Sequence, residues 1–444
     1  MDQFETVATV AVGPAARVYE HGWQSWSLTG PYGAGERPQR PPDAGTARMD
    51  GPGTRLPAPE DAFQGEGLLA VDPGGGGEVV VVAAASPTTA VPTVRAVVAG
   101  TAVRVHANGP VTVTSHPAGG GLEGALGAWA SSVAAPGPIR PAPTIWCSWY
   151  DYFTAVTEAD MVENIDAIAD QDLPVDVVQL DDGYEAELGD WLVLSDRFAS
   201  LRGIAERIRG SGRRAGIWVA PFLAGARSAL VADHPDWLVG GVGEPVWAGH
   251  NWQQDVYGLD LTHPGVRAYL SEVFGQLRSA GFDFFKIDFL YAGALDGARA
   301  GDPDPLAAYR SGLSLIRDVV GDAYLLGCGA PLLPSIGLVD AMRISPDTGP
   351  LYEPAGGNLS KPAVRSAIGT GAARRWQHGR WWVNDPDCLL ARPAAEHREQ
   401  FATHVAASGG LRGFSDRVSS LDSWGLATVR ALLGRVPPPT PFAP

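Results

Sequence analysis

The segment FFKIDFLY places Lys286 and Asp288 two residues apart. On a β-strand that spacing sends both side chains to one face. Lys286 and Lys361 are the only lysines among 33 basic residues, so a lysine inside an apolar run invites a chemical explanation. A buried ammonium needs a partner, and beside a carboxylate it favours the ionised form. A positioned, ionised carboxylate is what a nucleophile requires. A second carboxyl, Asp347, stands in MRISPDTGP behind Pro346, which fixes the local backbone; Arg343, four residues earlier, offers a guanidinium for substrate hydroxyls. Two carboxyls from different elements, facing across a pocket, form the basic equipment of glycosidases. QLDDGY adds the adjacent acids Asp181 and Asp182, and Trp149, Trp191 and Trp218 offer flat apolar faces for a sugar ring. Cys328, in GCGAP, is a further candidate for substrate contact. The plainer alternatives are an ion pair plugging a core for Lys286, a turn aspartate for Asp347 and core packing for the tryptophans.

These residues need a scaffold that brings them to one place. Eight short apolar runs read as strands: Ile145–Trp149, Val175–Leu180, Ala215–Ala220, Phe282–Ile287, Ala323–Gly327, Ala341–Ile344, Trp381–Val383 and Leu411–Phe414. Helical patterns separate most of them. Thr157 has capping-box spacing to Asp160, ahead of Met161, Ile165 and Ile168. Pro264 opens a helix with Val266, Leu270, Val273 and Leu277 on one face. Alternation of this kind predicts an α/β fold with a parallel sheet, and a count of eight predicts a (β/α)₈ TIM barrel. A doubly wound open sheet is the second choice. Its first strand would lead into a glycine-rich phosphate loop, where this chain has WCSWYDY. In a barrel the carboxylates at the strand ends all face one bowl.

Residues 1–135 read as a β-rich, sandwich-like N-terminal domain, with valine-rich runs at Glu78–Ala85 and Val91–Val105 around a Gly/Pro-rich stretch, Gly30–Gly67. Ala134–Pro143 reads as a linker, residues 136–435 as the catalytic barrel and 436–444 as a Pro-rich tail. A net charge of −16 without a basic stripe excludes nucleic acid as a partner. No apolar run is long enough for a membrane helix. MDQFETVATV lacks the basic start of a signal peptide. Three widely spaced cysteines, Cys147, Cys328 and Cys388, fit neither a disulfide framework nor a CxxC metal site. The expectation is a reduced, cytoplasmic protein.

In order along the chain, WCSWYDYF, QLDDGYEAELGDW, GIWVAPF, FFKIDFLYAG, GCGAPL, MRISPDTGP, WWVNDPDCLL and SGGLRGFSD resemble the melibiase-type α-galactosidases of glycoside hydrolase family 36. HGWQSWS at positions 21–27 is similar to a segment of that family's N-terminal β-domain, which reaches over the barrel mouth. The resemblance implies a retaining hydrolase of terminal α-galactosides, with Asp288 as nucleophile and Asp347 as acid/base. It implies that Asp181 and Asp182 bind the 4- and 6-hydroxyls, and that Lys286, Cys328, Arg343, Tyr152, Trp191, Trp218 and Trp26 line the sugar pocket. It implies no metal and no organic cofactor, and α-galactoside oligosaccharides as partners. The family's C-terminal β-domain is expected to be missing, since some 25 residues follow SGGLRGFSD. The N-terminal domain also reads short, which leaves the oligomeric state open. Galactosyl transfer, another α-glycoside such as α-N-acetylgalactosaminide, and a catalytically silent sugar-binding protein are the alternative functions.

Overall fold

The computed structural model describes residues 3–51, 57–135, 137–301 and 304–442. Positions 52–56 of the Gly/Pro-rich stretch, Pro136 of the linker and positions 443–444 of the tail lie outside the described residues.

Two antiparallel sheets form the N-terminal part. One orders the strands Glu5–Ala11, Ala102–Ala107, Thr93–Ala99 and Ala62–Glu66. The other orders Gly30–Gly33, Arg17–Glu20, Leu68–Asp72, Val79–Ala84 and Val111–His116. Side-chain alternation divides the valines between two cores. Val82, Leu69 and Val71 meet Val94, Val103 and Val105 between the sheets. Val79, Val81 and Ala83 point the other way, into the core shared with helix Gly121–Ser132 and the barrel. A strand buried on both faces reads as an unbroken apolar run, which explains VVVVAA.

The eight barrel strands are Thr144–Cys147, Val177–Leu180, Arg214–Val219, Phe282–Ile287, Tyr324–Gly327, Ala341–Arg343, Val383–Asp385 and Arg412–Phe414, counted below as strands one to eight. Neighbours run parallel in the order 7-6-5-4-3-2-1-8. Strands seven and eight are tied through Gly410 N and Leu411 N, each 3.0 Å from Asn384 O. Strand seven begins two residues later than its apolar run. Trp381 turns outward to pack on Trp129 and Trp376, its ring N–H donating to Ala130 O at 3.1 Å. Trp149 likewise leaves strand one and opens a short helix, Trp149–Tyr152. The capping box at Thr157 and the helix Pro264–Ala280 form as their patterns predict. The fifth-to-sixth connection holds only a four-residue helix, Leu332–Ser335.

Inside the barrel, Ile145, Val177, Phe284, Leu326, Ala341 and Val383 fill one apolar layer. Phe285 and Ile287 face the surrounding helices instead, Phe285 packing on Phe274. Two residues above Phe284 on its face stands Lys286, and two above that Asp288. The apolar layer therefore seals the barrel below the polar bowl. Ile139 and Ala142, in the proline-rich connection, pack against that layer, and Arg140 donates to Asp322 O at 2.9 Å. The tail also packs: Phe442 stacks on His378 with ring centroids 4.2 Å apart.

Candidate active site

A cavity of about 600 Å³ opens at the C-terminal ends of the strands. Asp181, Asp182, Trp218, Lys286, Asp288 and Asp347 line it from the barrel, joined by Trp26 and Met49 from the N-terminal part and by Trp247 and Trp252 from a hairpin.

Asp288 follows strand four. Its Oδ2 accepts from the ring N–H of Trp218 at 3.1 Å, and its Oδ1 from Phe289 N at 2.8 Å. Trp218 reaches it because strands three and four pair Trp218 with Lys286 in register. Phe289 takes a left-handed backbone, φ 51°, uncommon for an aromatic residue. That turn directs Asp288 into the bowl and sets the Phe289 ring between Trp26 (4.9 Å) and Trp252 (5.0 Å). Gly329, at φ 52°, is required opposite: a Cβ there would lie 2.8 Å from the Trp26 ring and 2.9 Å from Phe289 N.

Lys286 pairs with Asp181, not with its strand neighbour Asp288. Nζ lies 2.9 Å from Asp181 Oδ2. Burial opposes the ammonium charge, but Asp181, Cys147 and Asp288 outweigh it and raise the group well above the ordinary lysine value. The same Asp181 oxygen accepts from Gln179 Nε2 at 2.6 Å and from the Cys147 thiol at 3.3 Å. Asp182 Oδ2 accepts from the ring N–H of Trp252 at 2.7 Å.

Arg343, at the end of strand six, gathers three carboxylates: Asp347 at 2.8 Å, Asp385 at 3.1 Å and Asp387 at 2.9 Å. Asp387 also receives the hydroxyl of Tyr150 and the N–H of Thr348 at 2.8 Å. Asp347 alone of the three reaches into the cavity, with 33% of its side chain exposed. Burial pushes its carboxyl up to about 7, with Arg343 opposing and the like charges of Asp387 and Asp288 adding to the rise. A carboxyl in that range can hold or release a proton near neutrality.

The bowl has walls from outside the barrel. The segment holding Trp26 is fastened by Ser25 N to Ala330 O (3.0 Å) and Leu332 N to Trp23 O (3.0 Å). Beneath it the buried Arg374 donates to Gln24 O (2.9 Å), Ser27 O (2.8 Å), Thr29 Oγ1 (2.7 Å), Ile344 O (3.0 Å) and Ser25 O. Trp252 sits at the tip of the hairpin Trp247–Asn251 and Gln254–Gly258. Trp252 and Gln253 both have positive φ, 50° and 55°. Such turns favour Asn-Gly, and local strain of this kind collects at functional sites. A six-residue helix, Ala44–Met49, closes the remaining side, with Arg48 Nε donating to Trp247 O at 3.0 Å.

Four residues expected to line the pocket stand behind or beside it. Trp191 is fully buried, its ring edge-on to Trp218 at 5.7 Å, because the loop after strand two folds under Trp218. Tyr152 turns its hydroxyl to Asn164 Nδ2 at 2.7 Å, on the helix Glu158–Asp170. Cys328 is fully buried at the end of strand five. Arg343 spends its guanidinium on carboxylates. Trp26, Asp181, Asp182, Trp218, Lys286, Asp288 and Asp347 do meet at the cavity. The reading missed Arg374, Trp252 as the partner of Asp182, and the helix Ala44–Met49. Only Trp252 carries a clue, a two-residue turn without glycine.

Residues 139–292 match the melibiase family model. Over 158 residues the chain is 31% identical to α-galactosidase AgaA of Geobacillus stearothermophilus, and over 156 residues 29% identical to α-galactosidase 2 of Pediococcus pentosaceus. These matches cover 34% and 33% of the chain but only 21% of each relative. Among solved structures, TtGalA, an α-galactosidase from Thermus thermophilus in complex with p-nitrophenyl α-D-galactopyranoside, superposes with a TM-score of 0.82 at 28% identity, covering 97% of this chain and 92% of that one. The AgaA structure superposes with a TM-score of 0.65 at 14% identity, which speaks for the fold. Among the described residues no helix is long and apolar enough to cross a membrane.

Proposed function

From the premise that the chain belongs to the melibiase-type α-galactosidases of glycoside hydrolase family 36, we propose that it is a retaining α-galactosidase acting by double displacement. One observation carries the reading. Two carboxyls share a tryptophan-walled cavity in opposite settings: Asp288 held as an acceptor by two N–H donors, Asp347 poised to carry a proton near neutral pH.

In the first step Asp288 attacks the anomeric carbon from the face opposite the leaving group, while the Asp347 carboxylic acid protonates the departing glycosidic oxygen. A β-galactosyl ester of Asp288 forms and the aglycone leaves. In the second step the Asp347 carboxylate takes a proton from water, whose oxygen attacks the same carbon. Asp288 is released and the galactose keeps the α configuration. Asp182, with Asp181 behind it, receives sugar hydroxyls, and Trp26, Trp218 and Trp252 supply the apolar walls. Arg343 holds Asp347 in place, and Lys286 holds Asp181.

α-Galactoside oligosaccharides are the proposed substrates. A solved relative, TtGalA, was captured in complex with stachyose, and the cavity fits an oligosaccharide end. The three buried free thiols support a cytoplasmic setting. A panel of nitrophenyl α-glycosides tests the activity. The expected outcome is release from the α-galactoside, exceeding the α-glucoside by orders of magnitude. Comparable rates on both epimers, or faster cleavage of the N-acetylgalactosaminide, would overturn the assignment.

A further inference from the structure

We propose that Glu185 is a positioning residue for the galactoside: its carboxyl holds a proton and donates it in a hydrogen bond to the Asp182 carboxylate, fixing how that carboxylate meets the sugar. The inference rests on the reading of Asp182 as a sugar ligand.

The sequence DDGYE turns back on itself at Gly183, whose φ is 118°. A Cβ there would lie 2.7 Å from Thr154 O, so the turn demands glycine. Folding back brings the Glu185 carboxyl against that of Asp182, and both line one side cavity. Gly183 N donates to Glu185 Oε2 at 3.3 Å, and the backbone of Glu185 bridges to Leu194. Both side chains are buried, with residue exposures of 3% and 7%.

Two touching carboxyls in such a place cannot both stay ionised unless a cation joins them. The cations nearby are committed elsewhere. Lys286 is bound to Asp181 at 2.9 Å. Arg197 donates to Gly183 O (2.6 Å) and Thr154 O (3.0 Å), and Arg227 pairs with Glu187 at 3.0 Å. Tyr184, the remaining titratable neighbour, is held neutral by burial. One proton must therefore sit on the pair. Asp182 Oδ2 accepts from Trp252 at 2.7 Å, a closer donor than the Gly183 N–H that Glu185 Oε2 receives at 3.3 Å, which favours the carboxylate form on Asp182 and leaves the proton to Glu185. Burial and the charge of Asp182 both drive the Glu185 carboxyl well above the ordinary range.

A side cavity of about 240 Å³, lined by Asp182, Glu185, Arg197, Arg227 and Trp252, gives Glu185 a route to water apart from the main pocket. Its proton can thus exchange while a sugar occupies the site. In alkaline solution loss of that proton would replace a donor with a second negative charge. Asp182 would then lose its orientation, and galactoside binding would weaken.

The experiment compares wild type, Glu185→Gln and Glu185→Ala. For each, KM and kcat for nitrophenyl α-galactoside and the Kd of free galactose, read from tryptophan fluorescence, are measured between about pH 5 and about pH 10. Glutamine keeps a neutral donor in the same shape. Its galactose Kd should stay within about threefold of wild type at neutral pH and should lack the alkaline rise that wild type shows. Alanine should raise Kd and KM about tenfold at every pH while kcat changes far less. The proposal is overturned if alanine binds galactose as wild type does, if glutamine loses as much as alanine, or if glutamine keeps the alkaline rise. If the wild type binds galactose but cleaves no galactoside, the hydrolase reading fails while the Kd series still decides on Glu185. A wild type that does not bind galactose refutes both.

Discussion

Replacing Arg374 with methionine probes how the sugar pocket gets its outer wall. The side chain is fully buried, and one guanidinium serves four carbonyl oxygens and the Thr29 hydroxyl. Four of those five acceptors belong to Gln24, Ser25, Ser27 and Thr29, which flank Trp26. Methionine follows the arginine stem only as far as Nε and donates nothing. A hydrogen bond to a charged group contributes about 1.5–3 kcal/mol, so the gross loss is large. Part of it is offset, because burying the guanidinium is itself costly: burial lowers Arg374 to about 10. A net loss of roughly 2–4 kcal/mol remains, a melting-temperature drop of roughly 2–4 °C for a chain of this length. The loosened segment should also let Trp26 leave the pocket. Differential scanning fluorimetry and KM for an aryl α-galactoside would be measured on the same samples. The reasoning predicts a lower Tm, a higher KM and a kcat changed much less. A variant that melts within a degree of wild type and keeps its KM would refute the claim that Arg374 anchors the wall.

Asp288→Ala should lower turnover by about 10⁴-fold or more, and added azide should restore some activity with formation of β-galactosyl azide; near-native activity without azide would exclude Asp288 as nucleophile. Asp347→Ala should slow melibiose cleavage by about 10²–10⁴-fold while sparing formation of the galactosyl-enzyme from dinitrophenyl galactoside; equal losses on both would exclude it as the acid. Because the raised carboxyl of Asp347 keeps its proton up to about pH 7, wild-type kcat/KM on melibiose should fall as pH rises through that value. The dinitrophenyl substrate, which needs no proton, should not follow. Trp26→Ala should raise KM about tenfold, a loss of ~1.4 kcal/mol of binding, with Tm nearly unchanged; a lower Tm with intact galactose affinity would mean that Trp26 only packs.

The barrel was legible because its strands are short apolar runs punctuated by helices, and because polar residues gather where those runs end. Strand position then told which residues share the bowl: Asp181, Asp182, Asp288 and Asp347 needed only the rule that strand ends converge. Pairing was less legible. Lys286 and Asp288 share a face, yet Asp181 on strand two lies closer to the ammonium, and separation along one strand says nothing of neighbours across a barrel. Trp191 illustrates the opposite limit. The polar loop around it, GDW, points to a place in the sugar pocket, whereas the loop tucks the indole beneath Trp218. Arg374 left no trace, since an arginine in TGAARRW looks like any surface residue until the carbonyls of a segment some 350 residues away arrive to meet it. The helix Ala44–Met49 was hidden by the glycines and prolines around it.

Proton NMR of the first-formed sugar tests the central claim most directly. With an aryl α-galactoside as substrate, the anomeric signal recorded before mutarotation should be that of α-galactose, as two inversions at Asp288 require. An initial signal from β-galactose would mean a single displacement by water, and the assignment of Asp288 as a covalent nucleophile would be wrong.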